Sequence, residues 1–275
     1  MQLDIRQEAG PDHDVLGERL RGIAELTAPL VEAVTELPLP ERTTVRLVST
    51  ATWRRNYHQY QLGLYNRERG SLSGRLREQF LPYLRETMAG RLNGTPSDTW
   101  TRTWAMCIED AMGEPETLVL AENIQHKTAT DDELHQLLAH ELTHLAQYHA
   151  SPEMFDFART PLTRSWGEDL WAVESLLEGH AQWAASRITH QTQGPHLTRT
   201  DEGIDSCRQA TESTETDKRA RLESYTAATA FIEGAIDKIG LGNFNSVREE
   251  LSLCPIEREL DSLSDYLLRI DGLLR

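Results

Sequence analysis

Residues 130–150 read TDDELHQLLAHELTHLAQYHA, and this stretch decides how the rest of the chain is understood. Thr130 with Glu133 three residues later has capping-box spacing, and Asp131 and Asp132 put negative charge where the helix dipole favours it. The pattern predicts a helix that runs to about Ala150 and is stopped by Ser151-Pro152. Leu134, Leu137, Leu138, Leu142 and Leu145 make it unusually apolar for a surface element, so burial is expected. Residues 140–144 are His-Glu-Leu-Thr-His. Positions four apart stack on one helix face, so both imidazoles can reach one metal ion. Glu141 lies about 100° round the helix from His140, placed to flank a metal and hold a water rather than ligate. Two histidines and a glutamate on a buried helix must find partners, and a metal satisfies all three.

A catalytic zinc site needs a third protein ligand and an open fourth position. A third histidine at the spacing HExxHxxGxxH is excluded, because Gln147 and Ala150 hold the required places. His149 reads as a helix-end residue. Ser165 with Glu168 repeats the capping device and predicts a second helix from about Trp166 to Thr189. It carries Glu174, Glu178 and His180. Glu174 and Glu178 share a face with Ala181, whereas His180 is about 200° round from Glu178 and does not share an ion with it easily. Gly179 and Ala181 are expected to let this helix approach the first closely. Two carboxylates at i and i+4 repel mildly in water, and a cation opposite them turns that cost into a gain. Trp166, Trp171 and Trp183 read as core or cleft wall.

The surrounding chain reads as mostly helix. Residues 14–36 form an amphipathic pattern closed by Pro38 and Pro40, and residues 72–90 form another helix. TTVRLVST at 43–50 suits a strand or the beginning of a helix, and TWTRTWAMCIED at 99–110 is strand-like. ETLVLAENI at 116–124 is the clearest strand, preceded by a Gly-Glu-Pro turn signal. It is expected to lie at a sheet edge, where an extended peptide could add to it over 117–124. Residues 190–217 read as a polar exposed loop, 218–239 as a helix ended by Gly240 and Gly242, and about 256–272 as a last helical stretch. No internal repeat stands out. The fold class expected is α+β, mainly helical, with a little sheet before residue 125. One unit spans 1–275: an N-terminal helical lobe over 1–100, a metal-site core over 101–189, the loop 190–217, and C-terminal helices over 218–275.

Composition sets outer bounds. The chain has 275 residues, 39% hydrophobic and 26% charged, enough for one good core. No apolar run approaches the ~20 residues of a membrane span. Met1 to Asp14 lacks the plan of a signal peptide, so with Met1 as the natural start a cytoplasmic protein is expected. Cys107, Cys207 and Cys254 are scattered without a CxxC pair, which argues against disulfides or a thiolate metal site. With 28 Lys+Arg against 44 Asp+Glu, a formal net charge of -16, nucleic acid and anionic membrane are unfavourable partners.

HELTH followed by LLEGHA at 176–181 resembles the zincin metallopeptidases whose third ligand is the glutamate of an E-G-x-A helix, the gluzincin group. The chain is also similar to an uncharacterised bacterial family of zincin-like, zinc-dependent metalloproteases. The shared marks are an apolar strand ending in Asn-Ile (LVLAENI), Gln147-Tyr148 after the second histidine, Tyr225 with Phe231 six residues on, and the closing segment CPIEREL. They span about 117–270, and Ala228 departs from the family's usual glycine. The resemblance implies a zincin-like fold, its small sheet packed on the HExxH helix and extra helices at both ends. It implies His140, His144 and Glu178 as ligands of one Zn2+ per chain, with Glu141 as catalytic base. Glu178 is favoured over Glu174 because only Glu178 precedes glycine. Glu174 then either orients a ligand imidazole or is a solvated carboxylate, and Tyr225 either donates to an oxyanion or serves packing. The activity this implies is hydrolysis of a peptide or small protein by a zinc-activated water. Two rivals share the ligand set: a non-haem Fe(II) oxygenase, with Fe2+ in place of zinc, and a zincin-fold binding protein without turnover.

Overall fold

Strand β1 (Gln2–Gln7) runs parallel to β2 (Arg42–Val48), and β2 runs parallel to β4 (Pro115–Leu120). Strand β3 (Ala105–Glu109) closes the sheet antiparallel to β4, giving the order β1-β2-β4-β3. Ile5, Val45, Thr117 and Cys107 form one row across all four strands. The computed structural model describes residues 1–93, 103–159, 169–193 and 215–271. It is a mainly helical α+β fold with this small sheet.

Strand β4 is therefore interior, paired on both sides, and the expected edge position over 117–124 is corrected. The physical reason was visible in its composition: Leu118, Val119 and Leu120 are all buried, and a strand covered on both faces reads as a continuous apolar run rather than an alternation. The strand also ends sooner than 124. Ala121–His126 turn into a short helix, α4, whose Asn123 Nδ2 donates to Thr103 O at 2.6 Å. The free edge beside the second half of the chain is β3.

Helix α1 (Asp14–Thr35) and helix α5 (Asp131–Ala150) cover one face of the sheet. Helix α2 (Thr50–Ser71) covers the other with Trp53, Tyr57, Tyr60 and Leu64. TTVRLVST proves to be both of the things it resembled, because β2 ends at Val48 and Ser49 Oγ caps the Thr52 amide of α2. Glu36, in the left-handed region at φ 54°, ends α1 ahead of the prolines. Helix α3 (Gly74–Asn93) follows α2. Residues 1–100 thus supply two strands of the shared sheet and a helix packed on α5.

A second core lies on the far side of α5. It gathers α6 (Pro152–Arg159), α7 (Asp169–Gln193), α8 (Glu215–Ile239), α9 (Leu241–Ser246) and α10 (Leu263–Asp271) around Phe155, Leu176, Trp183, Phe231, Phe244 and Tyr266. The helix end at Ser151-Pro152 is where expected, and Pro152 at once opens α6, as proline at a first helical position does. The Ser165–Glu168 cap, Trp166 and Cys207 lie outside the described residues, as do residues 194–214 of the expected loop. Helix α7 continues past Thr189 to Gln193, and α8 begins at Glu215. Cys107 and Cys254 are buried free thiols. Among the described residues no helix is long and apolar enough to cross a membrane.

Gly179 does not serve the approach of α7 to α5 as the sequence suggested. A Cβ placed there meets the Ala228 carbonyl carbon of α8 at 2.9 Å and its oxygen at 3.0 Å. Backbone cannot swing aside as a flexible side chain can, so α7 and α8 would have to part. Gly179→Ala is expected to lose about 1–3 kcal/mol through this overpacking, seen as a melting temperature several degrees lower. Gly63→Ala, on α2 with nothing within 4 Å of the added carbon, is the control and should hold or raise stability.

Candidate metal centre

The capping box expected at Thr130 is formed, with the Thr130 hydroxyl taking the Glu133 amide and the Glu133 carboxylate taking the Thr130 amide at 2.7 Å. It sets the phase of α5, and that phase turns His140, Glu141 and His144 inward, all buried. Helix α7 lies against α5 and brings Glu178 opposite. His140 Nε2 and His144 Nε2 are 3.0 Å apart, and Glu178 Oε2 stands 3.4 Å from the first and 3.6 Å from the second. A tetrahedral zinc with bonds of 2.0–2.2 Å holds its ligand atoms about 3.3–3.6 Å from one another. Glu178 Oε2 stands at that spacing from both imidazoles, and the two imidazole nitrogens, at 3.0 Å, are a few tenths of an ångström closer than a shared ion would hold them.

Electrostatics agree with the spacing. Glu178 Oε2 is enclosed and makes no hydrogen bond. Burial opposes its charge, yet the facing imidazoles of His144 and His140 prevail and hold it well below the usual carboxylate range. For His144, burial again works against charge, and the Glu178 carboxylate overcomes it, raising the imidazole above its ordinary value. Two nitrogens and a carboxylate oxygen at this distance call for positive charge between them, and a metal ion supplies it. Among the described residues the group that fits a cation comprises His140, His144 and Glu178.

One side chain fixes the arrangement. Gln147, fully buried, accepts from His144 Nδ1 with Oε1 at 2.8 Å. Its Nε2 donates to Leu177 O at 2.9 Å and to His180 Nδ1 at 3.0 Å. An amide nitrogen only donates, so the reverse orientation would set its oxygen against the Leu177 carbonyl. Hence His144 carries its proton on Nδ1 and turns a lone pair at Nε2 toward the candidate site. His180 is kept neutral, first by burial and then by the charges of Arg248 and His144, so its proton sits on Nε2. Its ring stacks on Trp183 at 5.3 Å. The sequence places His180 where it does not easily share an ion with Glu178, and it stands behind His144, joined to it through Gln147.

Glu141 is 1% exposed, and its charge is felt at His144. Glu174 lies one turn before Glu178, partly buried and outside the triad. Tyr225 is buried on α8 with its hydroxyl enclosed. His149 is at the exposed end of α5, as expected. Two neighbours escaped the sequence reading. Phe155 of α6 presents its ring edge-to-face to His144 at 5.9 Å, and the Arg159 guanidinium lies 4.5 Å from the Phe155 centroid. The signal available for both was the Ser-Pro helix start that places α6 directly after α5.

No known family profile matches the chain, and no curated protein matches it. Its fold is similar to that in the crystal structure of "a putative hydrolase with a novel fold" from Chloroflexus aurantiacus, with a TM-score of 0.57. The likeness covers 92% of this chain and 89% of that one at 16% identity. At that identity the likeness speaks for the shared backbone arrangement alone.

Replacing Gln147 with Leu keeps the volume and removes both donors and the acceptor. If the group binds a divalent metal, affinity for it is then expected to fall about 10–100-fold, measured with Zn2+ as the probe by chelator competition on metal-free protein. The buried Leu177 carbonyl and His180 Nδ1 lose their donor at about 1–3 kcal/mol each, so the melting temperature should fall as well.

Proposed function

We propose that the chain is a zinc-dependent hydrolase of the zincin type, a metallopeptidase in which His140, His144 and Glu178 hold one Zn2+ and Glu141 is the general base. The observation that carries this reading is the convergence of His140 Nε2, His144 Nε2 and Glu178 Oε2 at 3.0–3.6 Å. An antiparallel edge strand, β3, followed by the HExxH helix and then by a helix supplying the acid, supports the zincin reading. The description of the Chloroflexus structure as a putative hydrolase is in keeping with it.

The donor set of two imidazoles and a carboxylate fits zinc, which when bound supplies a water acidic near neutral pH and polarises a carbonyl. Everything else falls to the chain. Gln147 holds His144 in the tautomer that ligates. Glu141, adjacent in sequence to His140 and enclosed by the core, takes a proton from the attacking water and returns it to the leaving amine. Phe155 keeps one side of the His144 ring dry.

Protein purified without added metal should contain zinc at about one ion per chain, lost in His140→Ala and in Glu178→Ala. Removing it by chelation should lower the melting temperature, because a ligand bound only by the folded state stabilises it. Glu141→Gln should keep the zinc and lose about 10²–10⁴-fold in the hydrolysis of a fluorogenic peptide library. Retained cleavage in that variant ends this mechanism. Iron in place of zinc, with product formation that needs oxygen, transfers the site to oxygenase chemistry.

A further inference from the structure

The pairing of β3 with β4 decides which of its backbone groups face outward. Leu120 N donates to Trp104 O at 2.8 Å, and Asp110 N to Glu114 O at 2.8 Å. In an antiparallel ladder hydrogen-bonded pairs alternate with unbonded ones. With Cys107 opposite Thr117, residues 104, 106, 108 and 110 bond to β4, and Ala105, Cys107 and Glu109 turn their amides and carbonyls away from it. These three residues are buried, so this edge is covered rather than open to an added strand.

Its central carbonyl is already occupied. Arg159 Nη1, from the last turn of α6, donates to Cys107 O at 2.6 Å and reaches the Tyr60 hydroxyl at 3.3 Å. A polypeptide lying along the edge cannot pass Cys107 without displacing a charge-assisted hydrogen bond. The same guanidinium stands beside the candidate metal centre, because it lies over the Phe155 ring whose edge meets His144.

Only one corner of Arg159 is engaged. Nε–H and Nη2–H lie parallel along the other side of the guanidinium, the side that matches a carboxylate's two oxygens. Among the described residues neither makes a hydrogen bond, and neither is among the fully enclosed polar atoms. The nearby acids are committed elsewhere. Glu109 is bound by Arg67 and by the Tyr148 hydroxyl, Asp156 by Arg67 at 3.2 Å, and Glu178 faces the two imidazoles. Among the described residues no carboxylate lies within ion-pair distance of Arg159. Burial disfavours its charge, but Tyr60, Cys107 and Glu178 more than restore it, so the cation is kept. In a chain of net charge -16 a half-buried cation with no carboxylate partner among the described residues is an exception that needs a reason.

We propose that Arg159 anchors a carboxylate of the substrate, so that the site takes amides or peptides ending in a free carboxylate beside the scissile bond, not the interior of a long polypeptide. This rests on the hydrolase reading above and narrows its substrate class. Arg159 then fixes which bond comes to the metal centre.

The probes are blocked dipeptides prepared in pairs, one member with a free C-terminal carboxylate and the other with a C-terminal amide. Binding is measured by calorimetry on Glu141→Gln protein as purified, and turnover on the unaltered enzyme. The acid should bind and be cleaved about 10–100-fold better than the amide, as a charge-assisted hydrogen bond to the carboxylate requires. Arg159→Gln should abolish that ratio, acting mainly on KM. Arg159→Lys keeps the charge without the fork and should lose most of the ratio while retaining fold, which carries the test if the Gln variant is unstable. Equal handling of acid and amide by the unaltered protein overturns the inference. So does a lower melting temperature in Arg159→Gln with the ratio intact, since Arg159 then only braces β3. Acid-selective binding that depends on Arg159, without cleavage of any probe, keeps the anchor and sinks the hydrolase reading. Cleavage of both members at equal kcat/KM keeps the hydrolase and sinks the anchor.

Discussion

The side chain on which the candidate site depends is an amide that ligates nothing. Gln147 joins His144 on its own helix to the Leu177 carbonyl on α7, the residue immediately before Glu178. Helices packed through leucines and alanines tolerate small rotations at little cost, because dispersion contacts are numerous and individually weak. A buried amide with its donors and acceptor all committed does not, since any rotation strands a polar group in a dry core. One hydrogen-bonded residue therefore sets both the ring orientation of a ligand on α5 and the azimuth of α7 one residue short of the facing acid. Behind it, His180 fills the remaining amide proton and stacks on Trp183, tying the arrangement into the second core.

That rigidity makes a charged site tolerable inside the protein. His140, Glu141 and His144 are buried on α5, and Glu178 is nearly so. Desolvation alone would push Glu178 toward its neutral form and His144 away from its charged one. Both shift the opposite way, because acid and imidazoles face one another at fixed short distance. The same reasoning explains why His180, one residue beyond Gly179, takes the opposite course. It has an amide and aromatic rings for neighbours and the positive Arg248 in range, so it stays neutral. Two histidines on neighbouring helices are thus driven to different states by which partners the fold gives them.

Much of this could be read in the sequence, and the parts that could not share a cause. Helix α5, its capping box, its end at Ser151-Pro152 and the shared face of His140 and His144 follow from local spacing, which a helix converts directly into shared faces, whereas only the resemblance to the gluzincins singles out Glu178 from Glu174. What local spacing does not encode is which face meets which neighbour. Gly179 looked like a close approach to α5 and proves to be one to α8, because the identity of the facing helix is a tertiary fact. Strand β4 looked like an edge because it was the best-formed strand and its partners were weaker signals. β1 carries Asp4 and Arg6 among few apolar residues, and β3 hides in a stretch rich in tryptophan and threonine. Gln147 was noticed as a mark without a role, since a hydrogen bond to a carbonyl thirty residues away leaves no trace in spacing. Helix α6, eight residues long, fell below the length at which periodicity speaks, and Arg159 was missed with it.

The donor set by itself does not choose between hydrolysis and oxygen chemistry, since two imidazoles and a carboxylate suit either zinc or ferrous iron. The burial of Glu141 bears on the proposed hydrolysis. Glu141, at 1% exposure beside a site that already contains Glu178, is a second acidic side chain taken out of water. An oxygenase has no need of it, because its open positions are for oxygen and substrate rather than for a proton shuttle. A fold retained only for binding has even less need, since an amide at the same position would fill the space without the charge. Hydrolysis of an amide needs a group that accepts a proton from water and surrenders it to nitrogen, and a carboxylate held next to the ligand pair on a rigid helix meets that need. Under the proposed hydrolysis Glu141 has a use as proton carrier, which neither rival chemistry requires of it.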